Sequence, residues 1–149
     1  MEVVILEAPF DPWCELSSRQ ARRTDLAGRY GGTAVFVGTM REANEGRAVT
    51  RMSLEHYPGM TEGQIRAIGD EAAEQWAIQD ALVLHRSGEL EPGEPIVLVA
   101  TWAAHRGDAL EACRYITEGL KARAPFWKKE LGPDGEHWVE RNTDGYASP

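Results

Sequence analysis

Cysteine is scarce in this sequence. Cys14 and Cys113 are the only two among 149 residues. Neither sits in a CxxC pair or a His/Cys cluster, which excludes the usual structural zinc spacings. In a reducing compartment both are expected as free thiols. No base stands beside either in sequence, so a nucleophilic cysteine is the lesser reading. Cys113 falls on the apolar side of an expected helix, and the place of Cys14 stays open. Long apolar runs are also missing: nothing approaches the ~20 residues of a membrane helix. The N-terminal stretch Met1–Glu7 carries acids at both ends of a short apolar core and has no basic leader. It reads as a first strand rather than a signal peptide, so a cytoplasmic protein without membrane contact is expected. The phosphate loop GxxxxGK[ST], GxGxxG and GxSxG are all absent, which removes the standard nucleotide and serine-hydrolase signatures. Positive charge is short overall, with 16 Lys/Arg against 24 Asp/Glu and a net charge of -8. A broad nucleic-acid surface is therefore not expected.

What remains is the composition of a globular chain, 42% hydrophobic and 27% charged, read as one domain over residues 1–149. Residues 2–7 form the first strand, and a short helix is expected near Ser17–Arg22. Thr33–Val37 is a strong β run closed by Gly38. A loop rich in Asn, Gly and charge leads to a strand at about Val49–His56. Thr61 and Gln64 suit a capping box, and Ile65, Ile68, Ala72 and Trp76 follow at helical spacing, predicting a helix over 61–77. Strands at Ala81–His85 and Pro95–Trp102 look like a long hairpin. A helix from Asp108 as N-cap to Ala124 carries Ala109, Cys113, Ile116 and Leu120 on its apolar face, and Pro125 stops it. Phe126–Glu130 is a short piece before a Pro133-Asp134-Gly135 turn, and His137–Val139 a last strand. Strands and helices mix without regular βαβ alternation, so the class is α+β.

Charge is unevenly spread. Between His105 and Lys129 there are six Lys/Arg and three acids. A small basic island on an acidic chain suits a compact anion. Lys121 lies about 20° around the helix from Leu110, at the margin of the apolar stripe, where it either lines a cleft or snorkels to water. His105-Arg106 stands between a strand and a helix N-terminus, where free amides and the helix dipole favour anions. Arg106 brings a planar fork that fits phosphate, and a plain surface arginine fits as well. Phe126 and Trp127 pin the segment carrying Lys128 and Lys129. Basic residues beside aromatics also suit single-stranded RNA, but one such stretch is a weak signal for it. Arg41 follows a strand in a loop. His56 and His85, at strand ends, read as structural hydrogen-bonding residues, and Glu55 and Glu89 show no sign of a carboxylate pair. The residues alone thus yield a cationic cleft for a phosphorylated small molecule, with a lysine as acid or base.

Those residues fall into a familiar order. Phe36–Arg41, Asn44-Glu45-Gly46 and Leu54–Thr61 resemble the front half of molybdopterin synthase large, catalytic subunits. His85–Leu90 with Pro92-Gly93 resembles their central hairpin. Ala104-His105-Arg106, Leu120–Glu130 and Trp138-Val139-Glu140 resemble the rest, and the similarity runs from Phe10 to Asn142. The resemblance implies the family's α+β hammerhead fold and a homodimer at the core of a heterotetramer. The partner implied is a small ubiquitin-like sulfur carrier whose C-terminal Gly-Gly thiocarboxylate donates sulfur. The substrate implied is cyclic pyranopterin monophosphate, converted to the dithiolene of molybdopterin without a cofactor or metal. Two sulfurs imply two donor molecules and a half-sulfurated intermediate. By the same resemblance Lys121 and Lys128 are catalytic, and Thr39, Met40, Arg41, His105, Arg106, Lys129 and Glu130 line the substrate pocket. Glu42-Ala43 departs from the polar or basic residues common there, and Ser87 replaces a commonly aliphatic one. The final residues, Tyr146–Pro149, contain no Gly-Gly, so a separate donor is expected. A non-catalytic phosphopterin- or nucleotide-binding module is the alternative.

Overall fold

The computed structural model describes residues 1–140 and 145–147. Asn142, Ser148 and Pro149 lie outside them. Among the described residues the fold has two four-stranded sheets, a two-stranded hairpin, three α-helices and a short 3-10 helix. The central sheet has the order β1 (Glu2–Leu6), β6 (Ile78–Arg86), β8 (Pro95–Ala103), β2 (Gly32–Thr39). β1 runs parallel to β6, and the other pairs are antiparallel. Helices α2 (Met60–Gln75) and α3 (Arg106–Arg123) cover one face, where Val83, Val97 and Val99 meet Ile65, Ile68 and Ile116. The other face packs Leu82, Leu84, Leu98 and Trp102 with Phe10, Leu16 and Tyr30, the side of α1 (Pro12–Arg22). A sheet covered on both faces explains why β6 and β8 read as continuous apolar runs rather than alternating ones.

The side sheet has the order β10 (Gly135–Val139), β9 (Phe126–Gly132), β5 (Arg51–His56), β7 (Gly88–Leu90), all antiparallel. A small hairpin, β3 (Ala43–Asn44) and β4 (Arg47–Ala48), sits within the loop expected after Gly38. β6 and β8 do pair antiparallel, but β7 lies between them in sequence and joins the side sheet by pairing with β5. The expected long hairpin is thus the seam between the two sheets. The antiparallel side sheet and the irregular order of elements fit the α+β class.

Helix boundaries differ from the sequence reading for local reasons. α1 starts five residues early, because Asp11 accepts from the amides of Trp13 (2.9 Å) and Cys14 (3.3 Å), and Pro12 opens the helix where its missing N–H costs nothing. At α2 the cap lies two residues before Thr61, at Gly59, whose amide donates to Glu62 Oε2 at 2.6 Å. Thr61 is buried inside the helix, where its hydroxyl accepts from the Tyr57 amide and donates to the Pro125 carbonyl. α3 begins at Arg106 with His105 as N-cap, so Asp108 falls in the first turn and serves the dipole rather than the cap. Its end at Arg123, just before Pro125, is as expected. Near that end Arg123 makes two hydrogen bonds to Glu71 of α2, at 2.5 and 2.7 Å, and Tyr115 donates to the same carboxylate at 2.7 Å. This arginine, followed by the tyrosine, holds the Glu71 carboxyl down to about 2. The clamp fixes the last turn of α3 against α2. No helix among the described residues is long and apolar enough to cross a membrane.

Candidate functional site

The last turn of α3, the end of β2 and the side sheet enclose a cleft in two parts. An inner chamber of about 70 Å³ lies among Phe36, Leu54, His85, Leu120, Phe126 and the two lysines 121 and 128. It opens into an outer cleft of about 360 Å³ walled by β2, the following loop and the β3–β4 hairpin. That volume is in the range of small-molecule sites. Phe36, Met52, Ile96, Val97, Lys121 and Lys128 border both parts.

Strand alternation sorts the basic residues of β9. Phe126, Lys128 and Glu130 turn inward, so Trp127 and Lys129 point to the opposite face. There Lys129 meets Glu136 at 3.6 Å and lies 5.3 Å from the centroid of the Trp138 ring. Trp127 packs edge-on against Tyr57 at 4.7 Å. Inside, the Lys128 ammonium lies 3.2 Å from Glu130 Oε1, and the Asn44 amide donates to the same oxygen at 2.8 Å. Glu130 is only 5% exposed, so its charge is held by these two donors. Asn44 thereby ties the β3–β4 hairpin to β9. Removing the carboxylate with Glu130→Ala strands both donors and is expected to cost about 1–3 kcal/mol, measurable by urea denaturation.

Lys121 sits on the last turn of α3, where Leu120 faces the core. Its pKa is lowered, first by the protein atoms that displace water around the ammonium, then by the neighbouring charges Lys128 and Arg41; Glu118 pulls the other way. Gly38 sets the opposite wall. A Cβ there would come within 2.8 Å of Val97 Cγ1, and the β2–β8 register shifts between Gly38 and Thr39. The shift carries Thr39, Met40 and Arg41 over the outer cleft. Met40 contributes mainly its buried side chain as wall, while Arg41 is exposed.

The structure therefore gathers Lys121, Lys128, Thr39, Met40, Arg41 and Glu130 into one cleft, and sends Lys129 to the other face of its sheet. His105 and Arg106 are exposed at the far end of α3. Fifteen residues of helix separate Arg106 from Lys121, roughly 22 Å. Within one chain they do not reach the cleft.

Three comparisons bear on this arrangement. The family model described as MoaE protein matches residues 10–123. The chain belongs to the MoaE family. A molybdopterin synthase catalytic subunit of Ralstonia nicotianae is 47% identical over 144 residues, covering 96% of this chain and 80% of the relative. Among solved structures, a molybdopterin biosynthesis MoaE protein of Burkholderia ambifaria superposes with a TM-score of 0.79 at 44% identity, covering 97% of this chain and 92% of that one. The chain of a protein–protein complex of subunits 1 and 2 of the Helicobacter pylori molybdopterin-converting factor shares the fold, with a TM-score of 0.76 at 21% identity and coverage of 93% and 90%. MoaE membership places the chain among the catalytic subunits of molybdopterin synthase, a sulfurtransferase.

Several MoaE cleft residues were not singled out from sequence as site residues. Phe36, Asn44, Thr117 and Phe126 line it, and so does His85, read as structural. His85 is buried, stacked 3.8 Å from the Phe126 ring, with Nδ1 2.7 Å from the Arg86 carbonyl. Burial brings its pKa down to about 4, against the opposing pull of that carbonyl; Lys121 and His56 lower it further. In the unfolded chain the same ring protonates near ~6.5. Because the folded value is depressed, the unfolded state takes up a proton first as pH falls. The contribution of His85 to stability is full above about pH 6.5 and declines down to about pH 4, by roughly 3 kcal/mol in total. Urea midpoints across this window should fall in wild type and fall less in His85→Asn.

The cysteines offer no nucleophile. The exposed Cys14 thiol donates to Asp11 Oδ2 at 3.3 Å, and that carboxylate raises its pKa. Burial pushes the Cys113 thiol up to about 11. Among the described residues no group of His, Cys, Asp and Glu could hold a metal ion.

Proposed function

We propose that the two-part cleft is where this subunit transfers sulfur from a thiocarboxylated carrier protein to a phosphorylated pterin. The supporting observation is the convergence of Lys121, Lys128 and Arg41 on a cleft whose inner chamber has no carboxylate on its wall among the described residues. The carrier is a small ubiquitin-like subunit ending in Gly-Gly thiocarboxylate. The Helicobacter pylori neighbour, solved as a complex of two subunits, supports such a pairing. Each transfer forms a carbon–sulfur bond on cyclic pyranopterin monophosphate in place of a carbon–oxygen bond, whose oxygen leaves as water or stays on the phosphate, and breaks the carrier's acyl–sulfur bond by hydrolysis. Water supplies the oxygen that replaces sulfur on the carrier, whose C-terminus ends as a carboxylate. Two rounds, on two carriers, give the dithiolene.

In this reading Lys121 polarises the thiocarboxylate and moves a proton as the acyl–sulfur bond breaks. Its lowered pKa suits proton transfer nearer neutrality. Lys128, oriented by Glu130, and Arg41 hold substrate charge, while Thr39 and Met40 shape the wall. His105 and Arg106 serve phosphate binding only from a second copy of the chain, since their own cleft is out of reach. A homodimer at the centre of a heterotetramer follows, with one carrier per cleft. Lys129 acts indirectly, by holding β10 against β9 through Glu136 and Trp138. The reaction belongs to the cytoplasm, in keeping with two free cysteines.

The test mixes the purified chain with cyclic pyranopterin monophosphate and thiocarboxylated carrier and follows dithiolene product. Product formation supports the reading; a carrier that binds but keeps its sulfur rejects it. The shared site makes a sharper expectation. Lys121→Ala and Arg106→Ala dimers should each be nearly inactive. After subunit exchange, half the dimers are mixed and each has one intact cleft, so activity should return to about a quarter of wild type. If each chain supplied its own cleft, mixing would restore nothing.

A further inference from the structure

Among the described residues Glu130 is the one carboxylate on the wall of the outer cleft, which also carries Lys121, Lys128 and Arg41. A carboxylate beside an anion site repels the ligand and competes with it for the cations. Its effect depends on what holds it. Across the side sheet its neighbours are Met52 on β5, buried and apolar, and His137 on β10, whose buried Nε2 has no hydrogen-bond partner among the described residues. Its donors are Asn44 Nδ2 at 2.8 Å and the Lys128 ammonium at 3.2 Å, and both converge on Oε1. The two contacts are unequal in an unexpected sense. An ammonium paired with a carboxylate closes to about 2.7–2.9 Å, shorter than a bond from a neutral amide. Here the neutral amide makes the shorter contact and the ammonium stands back. Asn44 reaches over from the β3–β4 hairpin, and backbone contacts seat that hairpin without it. The Thr50 amide and hydroxyl both donate to the Leu131 carbonyl, at 2.8 and 3.0 Å, and the Val49 amide donates to the Glu42 carbonyl at 2.8 Å. Gly132 lies so close to Ala48 that a Cβ there would strike its carbonyl oxygen.

We propose that Asn44 is a positioning residue for Lys128: by holding Glu130 Oε1 from the hairpin side, it keeps the carboxylate from closing on the lysine and leaves the ammonium available to an anionic substrate in the cleft. This rests on the reading that the cleft binds a phosphorylated pterin. Without Asn44 the carboxylate keeps one donor of the two. A buried carboxylate with a single cation in reach pairs with it as closely as geometry allows. The ammonium then draws back onto β9, and the anion site loses a charge. Asn44 also offsets part of the negative charge on Oε1, which lowers the repulsion that the carboxylate exerts on a bound anion.

Asn44→Ala removes the donor and leaves the backbone contacts that seat the hairpin. In calorimetric titration with cyclic pyranopterin monophosphate and no carrier, it should bind about tenfold more weakly than wild type, the worth of one hydrogen bond. Lys128→Ala should bind at least as weakly. Residues of one network are not additive, so adding Asn44→Ala to Lys128→Ala should change affinity by less than about twofold. Adding Glu130→Gln to Asn44→Ala should bring affinity back to within about threefold of wild type, because a neutral amide has no charge with which to withdraw the ammonium. A residue that only shapes the wall would weaken binding by the same factor beside Lys128→Ala and would gain nothing from Glu130→Gln. Either result overturns the proposal, and so does an Asn44→Ala protein that binds like wild type. The second readout needs no ligand. In crystals of Asn44→Ala the Lys128–Glu130 separation should close from 3.2 Å to about 2.8 Å, and an unchanged separation overturns the proposal. If wild type binds no pterin, the proposed function fails, and this separation alone decides whether Asn44 keeps the carboxylate off the lysine.

Discussion

Lys121→Ala is expected to lower turnover by about two to four orders of magnitude while leaving fold and carrier binding intact. The side chain leaves from the exposed margin of α3, next to Leu120, whose burial and the Glu71–Arg123 clamp hold the last turn in place. Helix propensity does not suffer, because alanine is the best helix former. The lost function is specific to an ammonium whose pKa is lowered by desolvation and by Lys128 and Arg41. Lys121→Arg keeps a cation but not a titrating one, so it should rescue little. Steady-state kinetics should show the loss in kcat, and calorimetric titration with carrier should show binding retained.

The largest expected effect on stability lies on the other face of the central sheet. Trp102, 2% exposed, packs with Leu82, Leu84, Leu98 and Ala100 in a cluster that Phe10, Leu16 and Tyr30 complete. Trp102→Ala is expected to cost about 3–5 kcal/mol, since the hole is too deep in the sheet to collapse. In a chain of this size that lowers Tm on the order of 10 °C. Trp102→Phe keeps an aromatic body and should cost much less. Thermal unfolding of both variants decides the matter; equal losses would mean that the indole volume is not what the cluster needs.

Much of this fold was legible because its signals are local. Ala81–His85 and Pro95–Trp102 read as strands since both faces of their sheet are covered. Pro125 stops α3 whatever surrounds it. The misread starts have a common cause. Asp108 is a better cap by composition than His105, but the chain leaves β8 only two residues before Arg106 and turns into the helix at once. At α1, Pro12 signals an opening rather than a break once Asp11 caps it. The β3–β4 hairpin has two-residue strands, too short for any periodicity, and exists through tertiary ties such as Asn44 to Glu130.

The site was legible in its lysines and less so in its walls. Lys121 and Lys128 stand out as cations amid apolar residues. Treating Phe126–Glu130 as an unassigned piece leaves Lys128 and Lys129 alike; as a strand, it must send them to opposite faces. His85 looks like a strand-end histidine, and only the docking of α3 and β9 reveals the chamber beside it. His105 and Arg106 carry a local anion signal at a helix start, which says nothing about the ~22 Å between them and the lysines.

The most direct test of sulfur transfer in this cleft watches the donor. Thiocarboxylated carrier is incubated with the subunit and cyclic pyranopterin monophosphate, and the mass of its C-terminus is followed. The account predicts that the carrier exchanges sulfur for oxygen only when substrate and wild-type subunit are both present, and that Lys121→Ala leaves it thiocarboxylated although bound. Exchange at the wild-type rate with Lys121→Ala, or in the absence of the pterin, would contradict it.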